Sequence, residues 1–205
     1  MNYHIHKAVV VGSGTMGAAL AAHLANAGVT VTLLDIVPDK LTPDEEKAGL
    51  TLKDKTVRNR IVNQGMERAQ KSKPASYFSS DGYSLVRTGN LKDDFQAVAD
   101  ADWVIEAIVE NLKIKKELMT RIDEIRKPLA IVSSNTSGIP LKDIAKGRTK
   151  GFRQHFLGTH FFNPPRYLKL LEVIPTADTL PAVTEFISWY GEFRLGKGIV
   201  LCKDT

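Results

Sequence analysis

The chain has 205 residues, 43% hydrophobic and 25% charged, which excludes a disordered or collagen-like polymer and is ample for a packed core. No apolar run approaches the roughly 20 residues of a membrane span, and the N-terminal MNYHIHKAVVV carries neither a signal nor a transit pattern, so a cytoplasmic location is expected. The net charge of +5 is dispersed, with loose groups at Lys113, Lys115, Lys116 and at Lys142, Lys146, Arg148, Lys150, Arg153; it suits a phosphate-bearing substrate and comes with no nucleic-acid motif.

In chain order, KAVVV at 7–11 is a short β-branched strand that ends in glycine. The Ala-rich segment 15–27 has helical character, and Gly28 stops it. VTVTLL at 29–34 is a second strand, followed by Asp35. Strand, turn, helix and strand within about 30 residues make a βαβ unit with parallel strands. From about 42 to 73 the pattern changes. Thr42 stands at an N-cap position before Pro43, and the charged helical stretch 53–69 has sparse apolar residues: Val57, Ile61, Val62 and Met66. The expectation is a solvent-exposed helical arm inserted after the second strand.

Residues 74–90 are turn-rich, with a brief strand at 85–88. Strands are expected at 103–108 and 129–133, with an amphipathic helix over 111–127 between them, closed by Pro128. A short helix at 141–146 precedes two strands, 152–162 and 168–174, joined through a Pro-Pro turn. A helix at 180–195 and a strand at 198–201 complete the chain. The fold class is therefore α/β: one Rossmann-like, doubly wound, mostly parallel sheet over residues 1–205, with a helical arm and an antiparallel hairpin near the C-terminus.

Gly12, Gly14 and Gly17 fit G-x-G-x-x-G, with Ser13, Thr15 and Met16 between them. The run follows a strand, opens a helix and precedes a second strand ending in an acid, which is the context of a dinucleotide-binding turn. Gly12 permits the tight turn, Gly14 lets a pyrophosphate approach the backbone and the helix N-terminus, and Gly17 lets the helix pack on the sheet. Asp35 lies 18 residues after Gly17 and would accept from the adenosine ribose while repelling a 2′-phosphate. No arginine follows it, so NAD is expected in preference to NADP.

Other polar residues gather at C-terminal strand edges. Glu110 follows the 103–108 strand and would either face the cofactor or stabilise the next helix N-terminus. SSNTSG at 133–138 holds more hydroxyls than one helix cap needs. His23 reads as a surface or packing histidine, and His4, His6 and His155 belong to no constellation. The single Cys202 excludes an internal disulfide and a cysteine-based zinc site; it is expected as a small buried residue, and no metal site is expected.

GTHFFNPPRYLKLLEVIP at 158–175 places an imidazole and a carboxylate inside apolar strands. A turn centred on Arg166 gives opposed residues an index sum of 332, which His160 and Glu172 satisfy. Period-two alternation puts Glu172 with Leu170 and Ile174 on a largely apolar face, where a carboxylate needs a partner. Pairing would fix the tautomer of His160 and leave its other nitrogen as a base. A structural His–Glu pair fits the spacing equally well.

With these residues assembled, the chain resembles the NAD-binding domain of the 3-hydroxyacyl-CoA dehydrogenase family. The likeness runs from about Lys7 to Thr205 through the glycine loop, VIEAIVENLKIKKEL at 104–118, SSNTSGI at 133–139, GTHFFNPPRYLKLLEVIP and the terminal CKDT. It implies NAD-dependent oxidation of an L-3-hydroxyacyl-CoA to the 3-ketoacyl-CoA in fatty-acid β-oxidation. His160 would be the general base, Glu172 its orienting acid, and Ser137 a hydrogen-bond donor to the substrate oxygen near the nicotinamide. Thr15, Met16, Ala107, Asn135 and Asn163 would face the cofactor, and Glu110 and Lys115 its ribose and nicotinamide side. Lys71 and Lys73 are candidates for CoA contact.

The longer arm, with EEKAGLT, is similar to bacterial multidomain members in which a hydratase-like domain follows. In the family, KDT leads into a Pro-x-Phe-Ile-x-Asn-Arg segment and then a helical domain that closes the substrate cleft and forms a homodimer. This chain stops at Thr205, so the resemblance implies a fragment that binds NAD and turns over poorly. An NAD-dependent dehydrogenase of another 3-hydroxy acid, and a non-catalytic crystallin-like relative, are the competing expectations.

Overall fold

The computed structural model describes residues 3–204, so Met1, Asn2 and the final Thr205 of the CKDT motif lie outside it. The β-branched run Lys7–Val11 forms β1, buried from its second residue onward. Helix α1 (Thr15–Asn26) packs close against the sheet because its buried face is built from Ala18, Ala19, Ala21, Ala22 and Ala25. Gly28 ends the helical segment at φ 82°, and β2 (Thr30–Asp35) follows.

The expected arm is instead the crossover from β2 to the next strand of the sheet. Helix α2 (Pro43–Lys47) opens with a capping box in which the Thr42 hydroxyl accepts from the Glu45 amide and the Glu45 carboxylate from the Thr42 amide. Helices α3 (Lys55–Arg58) and α4 (Arg60–Lys71) follow, and α4 does not stand in solvent. Val57, Val62, Met66 and Ala69 are buried, and α4 packs on α1. Gly65 supplies the close approach: a Cβ there would lie 2.3 Å from the Ser13 carbonyl oxygen. A 3₁₀ segment (Ser80–Leu85) leads into β3 (Val86–Asn90), a full sheet strand.

After a 3₁₀ segment at Phe95–Asp100, β4 (Trp103–Glu106) ends two residues earlier than expected. Asn111 caps α5 (Leu112–Ile125) by accepting from the Ile114 amide, and β5 (Ile131–Ser134) and α6 (Leu141–Ala145) follow. The strand expected over 152–162 is split. Thr149 caps a short helix α7 (Lys150–Gln154), and only Phe156–Phe161 is β6. The chain closes with β7 (Leu170–Pro175), α8 (Pro181–Phe193) and β8 (Gly198–Leu201). Cys202, just beyond, is half-buried rather than buried. Asp204 accepts from the Leu141 and Lys142 amides at 2.7 and 2.8 Å, which ties the C-terminal segment to the start of α6.

Among the described residues, eight strands form one sheet in the order β3-β2-β1-β4-β5-β6-β7-β8. All neighbouring pairs are parallel except β6 and β7, which pair antiparallel with His160 opposite Glu172. Alternation sends side chains to both faces. Val10, Ile105, Phe161 and Leu171 join one core with α1, α4 and α8. Val9, Val11, Val104 and Phe156 join the other with α5 and α6. Chain order reverses between β1 and β4, so a crevice opens beyond their C-terminal ends, where ligands of open α/β sheets sit.

Candidate active site

The first wall of that crevice is the glycine loop. Gly12 holds φ 100°, and a Cβ there would lie 2.4 Å from the Ala107 carbonyl oxygen, so the β1 and β4 ends meet at a contact only glycine permits. A Cβ on Gly17 would lie 1.8 Å from the Gly12 carbonyl oxygen, which fixes the helix against the turn. Gly14 differs: nothing lies within 4 Å of an added Cβ, and Gly14 and Thr15 are both exposed at the start of α1. The open space thus lies beside the helix N-terminus, where backbone amides and the helix dipole favour an anion.

Asp35 stands at the end of β2 beside this loop. One carboxylate oxygen accepts from the Ser13 amide and hydroxyl, both at 2.6 Å, and the other from the Ile36 amide at 2.7 Å. A cleft of about 450 Å³ runs from Gly12, Gly14 and Asp35 to Ala107, Ile108 and Val109. An anion cradle at Gly14, a carboxylate on the wall and an apolar slot beyond fit the phosphates, ribose and adenine of a dinucleotide. Met16 is half-buried and packs against the core on the α1 side.

The second wall is a polar network at the ends of β4 and β5. Glu110 is the exposed end of it. One oxygen accepts from the Thr136 hydroxyl and from the Ser137 and Gly138 amides at 3.3 and 3.2 Å; the other pairs with Lys115 at 3.1 Å. Burial opposes ionisation of Glu110, but the Thr136 and Lys115 contacts outweigh it and hold its carboxyl below the usual carboxylate range. Lys115 departs from expectation. Its side chain is only 1% exposed, and its ammonium also sits 2.6 Å from Glu106, so in this structure it faces two carboxylates, not the cleft. Asn135 carries the loop toward β6: its side-chain oxygen accepts from the Phe161 amide at 2.9 Å. Ser137 is exposed on that loop.

Next to Phe161, His160 Nδ1 lies 2.8 Å from Glu172 Oε2, as the β6–β7 register dictates. The face is not the apolar one expected: Leu171 and Val173 point into the core, whereas Leu170 is exposed and Glu172 half-buried. With 19% of the imidazole and 31% of the carboxylate exposed, the pair is open to a reactant. Glu172 accepting from Nδ1–H leaves Nε2 unprotonated and available as a base.

Asn163 begins the turn after β6 and is exposed. It lines a pocket of about 240 Å³ with Gly14, Thr15, Arg68 and Lys73, whereas Lys71 lies on the surface beside Glu67. The turn is held on both sides. Arg166 donates to the Ala75 and Tyr77 carbonyls at 2.8 and 2.6 Å; buried Lys197 donates to the Pro165 and Leu168 carbonyls. That burial lowers the Lys197 pKa to about 8. Sequence reasoning assigned no role to Ser13, Gly65 and Lys197, and it placed Glu106 at the strand end and Arg166 at the turn without their partners; each acts through a residue distant in the chain. Among the described residues, no group of three His, Cys, Asp or Glu could hold a metal ion, and no helix is long and apolar enough to cross a membrane.

Residues 7–205 match the model of the 3-hydroxyacyl-CoA dehydrogenase NAD-binding domain. A Bacillus subtilis protein described as "Probable 3-hydroxyacyl-CoA dehydrogenase" is 53% identical over 100% of this chain and 26% of its own length. A Deinococcus radiodurans protein of the same description is 48% identical over 98% of this chain and 54% of its own. The chain thus spans a quarter to about half of these relatives. Among solved structures, 3-hydroxybutyryl-CoA dehydrogenase from Escherichia coli K12 superposes with a TM-score of 0.72 at 30% identity, over 98% of this chain and 39% of that one.

Proposed function

Because the chain belongs to the family of 3-hydroxyacyl-CoA dehydrogenase NAD-binding domains, we propose that it supplies the cofactor half and the proton-handling pair for oxidation of an L-3-hydroxyacyl-CoA to the 3-ketoacyl-CoA. The observation that supports this most is the 2.8 Å contact of His160 with Glu172 on the exposed side of the hairpin. Bound NAD supplies the two-electron acceptor. Nε2 of His160 takes the proton of the substrate hydroxyl, and Glu172 keeps the ring in the tautomer that can do so and stabilises the imidazolium. Ser137 hydrogen-bonds the substrate oxygen. Gly12, Gly14, Thr15 and Asp35 hold the pyrophosphate and adenosine side, and Ala107, Glu110, Asn135 and Asn163 frame the nicotinamide side.

The setting that fits this chemistry is fatty-acid β-oxidation in the cytoplasm, with the acyl-CoA completing its site, and the homodimer forming, through segments beyond this domain. The test is a fluorescence titration of the 205-residue chain with NADH, paired with acetoacetyl-CoA reduction by this chain and by a longer protein containing it. Saturable NADH binding, with reduction far slower than in the longer protein, is expected. No NADH binding at millimolar concentration overturns the reading.

A further inference from the structure

The bonds around Lys115 all converge on one loop. Its ammonium bridges Glu106 Oε1 at 2.6 Å and Glu110 Oε2 at 3.1 Å. Glu106 is fully buried at the end of β4; the same Oε1 accepts from the Ile108 amide at 2.9 Å, and Oε2 from the Ser134 hydroxyl at 2.5 Å. The Ser134 oxygen accepts from the Thr136 amide at 3.2 Å, and the Glu106 carbonyl accepts from the Asn135 amide at 2.8 Å. Glu110 takes the Thr136 hydroxyl and the Ser137 and Gly138 amides, and the Thr136 oxygen accepts from Ile139. Every residue from 134 to 139 is therefore bonded within this network or, through Asn135, to β6.

We infer that Lys115 and Glu106 are positioning residues: the shared ammonium seats Glu110, and through it the loop that carries Ser137. This deepens the dehydrogenase reading by giving Lys115 a role that needs no contact with the cofactor. The electrostatics require the lysine. Two carboxylates this close in a low-dielectric site repel one another, and one buried cation satisfies both. Without it Glu106 keeps an unpaired buried charge, and Glu110, the half-exposed partner, is the one free to swing out. Its departure releases the Ser137 and Gly138 amides while the sheet stays intact.

The test uses amide hydrogen exchange on the ligand-free 205-residue chain, so its outcome does not depend on whether the dehydrogenase reading holds. Lys115→Met is expected to accelerate exchange at Ser137 and Gly138 by about tenfold or more, the scale of losing a hydrogen bond to a charged group, with β1 and β5 amides unchanged. Adding Glu106→Gln removes the uncompensated charge while keeping an acceptor for Ile108, and the double variant is expected to return towards the wild-type rates. Should Lys115→Met fail to fold, recovery of cooperative unfolding in the double variant is the same rescue. Unchanged exchange in Lys115→Met, acceleration spread evenly over the sheet, or a double variant as impaired as the single one overturns the proposal.

Discussion

His23 meets Phe161 edge to ring, with centroids 6.5 Å apart and planes at 76°, on the face of β6 opposite to the one carrying His160. His23 is 6% exposed, and its hydrogen-bonding neighbour is the Leu195 backbone. Burial, reinforced by the charge of Lys197, lowers its pKa to about 4.

An acid-stability prediction comes from this. The folded-state value lies below the unfolded one, so His23 is neutral in both states above pH 6.5 and costs nothing there. As pH falls from about 6.5 to about 4, the unfolded chain binds a proton that the folded chain refuses, and stability declines. The full effect is on the order of 3 kcal/mol. Urea unfolding at pH 7, 5.5 and 4 should show a shallower decline in His23→Leu than in the wild type. Parallel declines would place the acid sensitivity elsewhere.

Gly14 and Gly17 should separate binding from folding. Gly14 has φ −61°, which alanine adopts readily, and its added Cβ meets nothing. Gly14→Ala should leave the thermal midpoint nearly unchanged, within about 0.5 kcal/mol. It should weaken NADH at least about tenfold, because the methyl occupies the space a pyrophosphate needs. Gly17→Ala should destabilise the fold by roughly 1–3 kcal/mol, the usual scale of overpacking. Calorimetry beside an NADH titration distinguishes the two, and equal behaviour of both variants would refute the division of labour.

For His160, the expected signature is a split between turnover and cofactor affinity. In a protein carrying the complete substrate site, His160→Gln should lower turnover by about 10²–10⁴-fold, the usual worth of a general base, with NADH affinity within about twofold. Glu172→Gln should also depress turnover, since an amide that donates to Nδ1 leaves the proton on Nε2, where a base is needed. Comparable losses in turnover and NADH affinity would make the pair structural.

The sequence carried the cofactor loop and the facing pair because both depend on short-range spacing. Glycine spacing sets a turn, and strand alternation with a tight connection sets a register. Helix α4 was misread for a physical reason. Its buried face uses Gly65 and Ala69 beside Val62 and Met66, so a count of large apolar residues undervalues a helix chosen for close approach. The helical start before β6 was signalled by Thr149, an N-cap residue hidden by the aromatic run after it. The burial of Lys115 had no local signal. Among LKIKKEL, three lysines look alike, and only the fold places one between two carboxylates.

The clasp of Asp204 on the Leu141 and Lys142 amides bears on the order in which the domain folds. These partners are 63 and 62 residues apart in the chain, and β8 must join β7 before the clasp can close. Long-range closures of this kind come late, because loop entropy is lost before any contact compensates for it. The start of α6 gains these two bonds only when Asp204 is in place, so Leu141 and Lys142 become fixed later than the neighbouring loop at 134–139, which Glu106 and Glu110 already hold.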